Sequence, residues 1–124
     1  MEFAYFDGDD IGGPLELLLL EERVSDACNY SKLVSAAMGK LISDLSASRG
    51  VDVLFSGGDD LLAAWRQGRV DVGEIEAMRR RFTGLCGRTI SVGVGSSASE
   101  ALGNLRKAKL SGKDRVMATM VVCE

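Results

Sequence analysis

Asp7, Asp9 and Asp10 fall within four consecutive positions, and Gly8, Ile11, Gly12 and Gly13 complete the segment. Three carboxylates at the end of a strand repel one another, so packing gives no reason to place them there. A divalent cation does, because hard Mg²⁺ takes carboxylates, substrate phosphates and water as oxygen ligands. The glycines would let backbone N–H groups come close to a phosphate. The simpler alternative is an acidic surface turn with one capping Asp. A second acidic segment, Ser56-Gly57-Gly58-Asp59-Asp60, lies about fifty residues on. Gly and Asp favour turns in any case, so this segment alone would also fit a plain hairpin tip. Together, five acids at two strand ends fit a site where two cations clamp a triphosphate and activate a hydroxyl. Lys109 and Lys113, spaced i,i+4, could hold the outer phosphates. A solvated lysine pair near a helix C-terminus accounts for them equally well.

The rest of the chain restricts the chemistry further. It has 124 residues, 15 basic and 18 acidic, for a formal charge of −3. That balance argues against a general nucleic-acid binder. The absence of histidine removes His-ligated zinc, Ser-His-Asp and Cys-His nucleophile systems, and imidazole proton shuttles. Cys28, Cys86 and Cys123 are scattered and odd in number, which points to a reducing, cytoplasmic setting. The apolar run Leu15–Leu20 is too short for a membrane span and lacks a signal peptide's basic start. Five acids belong to the two motif segments; without them 15 basic residues face 13 acidic ones, so the negative excess has one address.

The elements that must position these residues follow from periodicity. Strands are expected at Glu2–Asp7, Val51–Ser56, Asp60–Arg66, Arg88–Gly95 and Arg115–Val122. Helices are expected at Leu15–Glu22, Asp26–Ser48, Val72–Cys86 and Ala98–Ser111, with Ser25 as an N-cap and Gly50 as a stop. Trp65, Met78 and Met117 read as core, and Arg79-Arg80-Arg81 as a solvated face. Gly93–Ala98 mimics a dinucleotide fingerprint, but it follows the fourth strand and is read as a tight turn. A hairpin within α/β alternation predicts an α+β fold in one domain, residues 1–124. Its mixed sheet would have about five strands, with the hairpin central and the helices mainly on one face: a ferredoxin-like palm. A phospho-acceptor receiver would use similar acid positions with Thr89 and Lys109. The strand that follows Asp59-Asp60 at once, and Leu110 after Lys109, argue against it.

Gly57-Gly58-Asp59-Asp60 resembles the hairpin signature of the palm shared by GGDEF diguanylate cyclases, class III nucleotide cyclases and the CRISPR polymerase subunit. Thr89–Val94 is similar to the strand before their last long helix. Ala108-Lys109-x-x-Gly112-Lys113 resembles the Ala-Lys-x-x-Gly-Arg triphosphate segment of GGDEF proteins. Asp7-Gly8-Asp9-Asp10-x-Gly12, the Leu-rich stretch and Asp59-Asp60-Leu61-Leu62 resemble the minimal CRISPR polymerase (mCpol) family over essentially the whole chain.

The resemblance implies a nucleotidyltransferase that condenses nucleoside triphosphates, ATP rather than GTP, into a cyclic oligonucleotide. A cyclic dinucleotide such as cyclic di-AMP is expected, acting as a second messenger read by an effector protein in prokaryotic anti-phage defence. It implies two Mg²⁺ or Mn²⁺ ions per site, held by Asp7, the Gly8 carbonyl and Asp59, with Asp60 completing the second metal site or helping to deprotonate the attacking hydroxyl. The backbone of Gly8, Asp9, Asp10 and Ile11, together with Gly57 and Gly58, would cradle phosphates gripped by Lys109 and Lys113. Asn29 and Ser31 are candidate base contacts. Two such sites would face each other across a homodimer, without a membrane or direct nucleic-acid binding. A palm-type GTP cyclohydrolase and a non-catalytic nucleotide sensor are the alternatives.

Overall fold

The computed structural model describes residues 1–119. The elements run β1 (Glu2–Gly8), α1 (Gly12–Leu20), α2 (Val24–Ala47), β2 (Val51–Gly57), β3 (Asp60–Trp65), α3 (Val72–Cys86), β4 (Ile90–Gly95), α4 (Ala98–Leu110) and β5 (Val116–Ala118). The sheet order is β2-β3-β1-β4-β5. β1 pairs antiparallel with both β3 and β4, β2 pairs antiparallel with β3, and only β4–β5 is parallel. This is the mixed, ferredoxin-like palm expected from the element order, and it excludes the parallel sheet of a receiver. The β2–β3 hairpin, however, lies at one edge of the sheet rather than at its centre, which β1 occupies because it pairs with both β3 and β4. The remainder of the expected last strand, Met120–Val122, and Cys123 lie outside the described residues.

Strand periodicity sorts the two faces. Phe6, Leu61 and Val92 turn toward α2 and α3, where Met38, Leu41, Leu45, Ile75 and Phe82 close the main core. Trp65 and Met78 are buried there as expected, and Met117 is half-buried. α1 packs on α2, so three helices share this side. Among the described residues, α4 alone covers the other face. Its approach is so close that a Cβ on Gly93 would lie 2.1 Å from the Ala101 carbonyl oxygen. Gly93 and Gly95 therefore belong to the strand expected over Arg88–Gly95 and admit α4, and the turn read over Gly93–Ala98 shrinks to Ser96 and Ser97.

Other local corrections have simple causes. α1 begins at Gly12 rather than Leu15, since Pro14 in the first turn forfeits an N–H that would have no partner there. Ser25 lies inside α2, which starts at Val24 without a side-chain cap. Gly50 adopts a positive φ of 76° just beyond the helix end at Ala47. Arg79 is not solvated: its guanidinium lies between Glu76 (2.7 Å) and Asp114, tying α3 to the turn before β5. Arg80 and Arg81 are exposed, as expected. No helix among the described residues is long and apolar enough to cross a membrane.

Candidate active site

The register brings the two acidic segments to one edge of the sheet. Asp7 at the end of β1 sits directly opposite Asp60 at the start of β3. Directly opposed residues on antiparallel strands have Cβ atoms about 5 Å apart, and like charges there destabilise the pair. The β2–β3 turn consists of Gly58 and Asp59, with Gly58 at φ 65° in the first central position, where primed hairpin turns place glycine. The Gly8 N–H donates to the Asp59 carbonyl at 2.8 Å, so the hairpin tip is tied to the end of β1. Gly8 is needed there, because a Cβ would lie 2.5 Å from the Ile11 side chain.

The three acids after β1 have separate fates. Asp7 is half-buried, and burial raises its pKa; Lys109 opposes the shift, while the charges of Asp59 and Asp60 add to it. Asp9 is 2% exposed and fully engaged. It accepts from Thr89 Oγ1 (2.8 Å), Ser91 Oγ (2.8 Å), Lys109 Nζ (2.7 Å) and the Asp114 N–H (2.9 Å). Burial alone would raise its pKa, but these donors hold it below the ordinary range. Asp10 is exposed and paired with Lys113, at 2.8 and 2.9 Å. The Lys113 ammonium keeps the Asp10 carboxyl below its usual pKa.

Part of the phosphate cradle read from the sequence is therefore committed elsewhere. The Gly8 amide serves Asp59, and the Asp9 amide donates to the Thr89 carbonyl at 2.9 Å. Among Gly8–Ile11, that leaves the amides of Asp10 and Ile11 for an anion. Lys109 is also turned inward. Its ammonium donates to the carbonyls of Asp7 (3.1 Å) and Gly8 (2.8 Å) and pairs with both Asp9 and Asp7. Burial works against its charge, yet Asp9 and Asp7 keep its pKa above that of a free lysine.

Two clefts open from the acidic edge, one on each side of the sheet. The first, about 250 Å³, lies among α1, α2 and the hairpin and is lined by Gly12, Tyr30, Ser31, Gly58 and Asp59. Ser31 is thus placed at the site, whereas Asn29 is exposed and does not line this cleft. The second, about 340 Å³, runs along α4 past Tyr5, Asp7, Asp60, Arg106 and Lys109. The Tyr5 hydroxyl lies 3.4 Å from Asp60 Oδ2.

Sequence reading missed three supports. The Tyr30 hydroxyl donates to the Ile11 carbonyl at 2.7 Å and so ties α2 to the loop before α1. Thr89 and Ser91 secure Asp9, whereas the sequence offers Thr89 as a receiver's hydroxyl and both residues as part of the Thr89–Val94 strand, with no link to Asp9. Arg88 Nη2 reaches the Asp10 carbonyl at 3.1 Å. No pattern in the chain points to that contact, because it depends on where β4 begins.

Among the described residues, no three His, Cys, Asp or Glu side chains form a ready metal cage. Mg²⁺ requires less, since substrate phosphates and water supply much of its shell. The donors here are oxygens: Asp7 opposite Asp60, with the Asp59 charge felt at Asp7. That set fits a hard divalent cation.

This geometry defines a palm of the nucleotide cyclase and polymerase type. The GGDEF domain of DgcB from Caulobacter crescentus, in complex with c-di-GMP, superposes with a TM-score of 0.66 at 17% identity, over 94% of this chain and 76% of that one. The active GGEEF domain of a Vibrio cholerae diguanylate cyclase gives 0.64 at 14% identity, over 98% and 83%. The Csm1–Csm4 cassette in complex with cA4 gives 0.61 at 20% identity, over 96% of this chain but 21% of the other. No curated protein sequence matches significantly. The minimal CRISPR polymerase domain, mCpol, matches residues 3–119, and the chain belongs to that family. Family and fold together support a nucleotide cyclase-type activity.

Proposed function

We propose that this chain is a metal-dependent nucleotidyltransferase that joins two nucleoside triphosphates, ATP by preference, into a cyclic dinucleotide such as cyclic di-AMP. The observation that carries the reading is the direct opposition of Asp7 and Asp60 beside Asp59. The arrangement is unfavourable in isolation and useful once divalent cations and a triphosphate arrive.

In each condensation, a ribose hydroxyl of one nucleotide attacks the α-phosphate of another. The new P–O bond forms as the bond to pyrophosphate breaks, and the hydroxyl proton passes to a carboxylate or to water. A second condensation closes the ring. Two divalent ions, held by Asp7, the Gly8 carbonyl, Asp59 and Asp60, would neutralise the phosphates and make the hydroxyl easier to deprotonate. The protein contributes position and charge. The cleft at Ser31, Gly58 and Asp59 has room for a base, and the amides of Asp10 and Ile11 lead into α1, whose N-terminus carries no side-chain cap. Such an end attracts phosphate. Lys109 holds the Gly8 and Asp7 carbonyls in place, and its charge offsets the crowding of acids.

ATP is the triphosphate that the resemblance to the minimal CRISPR polymerase family implies, and a Csm1–Csm4 cassette of similar fold is known in complex with one ATP. Two chains facing each other would bring two bound nucleotides together. The product would act as a second messenger in anti-phage defence, read by a separate effector.

The test is to incubate the protein with each triphosphate and Mg²⁺ or Mn²⁺ and identify products by mass spectrometry. A cyclic dinucleotide with pyrophosphate is expected. An opened purine ring would indicate a cyclohydrolase, and nucleotide binding without turnover would leave a sensor.

A further inference from the structure

Asp10 stands apart from its neighbours. Asp9 is held by the core and Asp7 by the sheet, but the Asp10 side chain is 64% exposed and no packing requires its charge. It nevertheless lies among positive groups. Lys113, from the turn after α4, contacts both carboxylate oxygens. Arg88, from the start of β4, donates through Nη2 to the Asp10 carbonyl at 3.1 Å. Among the described residues, Arg88 Nε is buried without a hydrogen-bond partner, so the guanidinium keeps an unsatisfied donor beside this loop. The nine-residue helix α1 begins two residues later, with no side-chain cap and no acidic residue in its first turn.

The backbone holds these parts in unusual conformations. Asp10 (φ 51°), Lys113 (φ 64°) and Asp114 (φ 50°) all occupy the left-handed region without being glycine. Strain of that kind persists where the surroundings over-determine it, and it gathers at functional sites. Here the Asp114 amide is fixed on buried Asp9 at 2.9 Å, which sets Lys113 beside Asp10. Lys113, Arg88 and the uncapped N-terminus of α1 gather around this loop, a place that favours an anion, and the protein's own Asp10 carboxylate now engages Lys113 there.

We propose that Asp10 is the resident anion of a triphosphate-tail site formed by Lys113, Arg88 and the N-terminus of α1, and that an incoming triphosphate displaces its carboxylate. The inference rests on the nucleotidyltransferase reading and adds two things to it. Arg88 becomes a phosphate-binding residue, and the Asp10 side chain becomes a competitor of substrate rather than a ligand for it. The exchange is feasible because a largely exposed ion pair is weak, while a triphosphate brings more charge to the same cations.

The experiment measures binding of α,β-methylene-ATP, AMP and inorganic tripolyphosphate, with Mg²⁺, to the wild-type chain and to Asp10→Asn, Lys113→Ala, Arg88→Ala and Arg88→Lys. Melting curves show that each variant is folded. Asp10→Asn should tighten binding of the analogue and of tripolyphosphate by up to about fivefold, with AMP unchanged. Lys113→Ala and Arg88→Ala should each weaken both by about tenfold, and Arg88→Lys should recover part of the loss. If the wild-type chain binds the analogue and Asp10→Asn weakens it, or Arg88→Ala leaves it unchanged, this inference is overturned and the functional reading stands. A wild-type chain that binds no triphosphate overturns both.

Discussion

Asp9 and Asp60 are the same residue type at the same edge of the sheet, in opposite physical situations. Asp9 is buried, with four donors aimed at its two oxygens. Asp60 faces another carboxylate across the strand pair, with the Tyr5 hydroxyl at the long distance of 3.4 Å. One acid is satisfied by the fold, and the other, partly open to solvent, is the one that the proposed function assigns to a metal ion. The contrast shows how a sequence rich in Asp divides its acids. Some build the loop that carries the site, and others remain available for a ligand.

Substitutions on the two sides should separate cleanly. Asp7→Asn should lower turnover by about a thousandfold or more while the chain stays folded, read from initial rates beside a melting curve. Asp9→Ala should instead cost about 3 kcal/mol, because it strands two hydroxyls, an amide and a partly buried ammonium. In a chain of this size that lowers the melting temperature by on the order of 10 °C. If Asp9→Ala melts like the wild type, the division between structural and functional acids fails. Asp60→Asn should stabilise the metal-free protein by about 0.5 kcal/mol, by removing one of two opposed charges, and calorimetry without divalent ions can detect that sign.

The smallest effect lies away from the site. Arg79 holds Glu76 below its ordinary pKa against the opposing effect of burial. A depressed carboxyl contributes stability above its unfolded pKa and loses it as pH falls through the folded value. Glu76→Gln should therefore flatten the acid limb of the stability curve slightly and leave neutral stability within about 0.5 kcal/mol of a surface substitution. A steeper acid limb in the variant would contradict the assignment.

Most of the architecture was legible because the hydrophobic periods are clean and the Gly-Gly-Asp turn is too short for anything but a hairpin. The meeting of the two acidic segments at one edge of the sheet was also legible, since both fall at the ends of expected neighbouring strands. What stayed hidden depends on three-dimensional neighbours. Asp9 looked interchangeable with Asp7 until Thr89, Ser91 and the Asp114 amide came together around it. The need for glycine at position 93 was hidden because its constraint, the backbone of α4, lies eight residues further along the chain. Lys109 looked like a free phosphate grip, and only the fold shows it bonded to the Gly8 carbonyl. Ser25 had the composition of a cap, but local preference is weaker than the packing that starts α2 at Val24.

The most direct test of the central claim is pyrophosphate release from nucleoside triphosphate, with and without Mg²⁺, by the wild-type chain and by Asp59→Ala/Asp60→Ala of matched melting temperature. Release should require the metal and fall by about a thousandfold or more in the variant. Equal release by the two proteins, or release that persists without a divalent ion, would contradict a site built on these carboxylates.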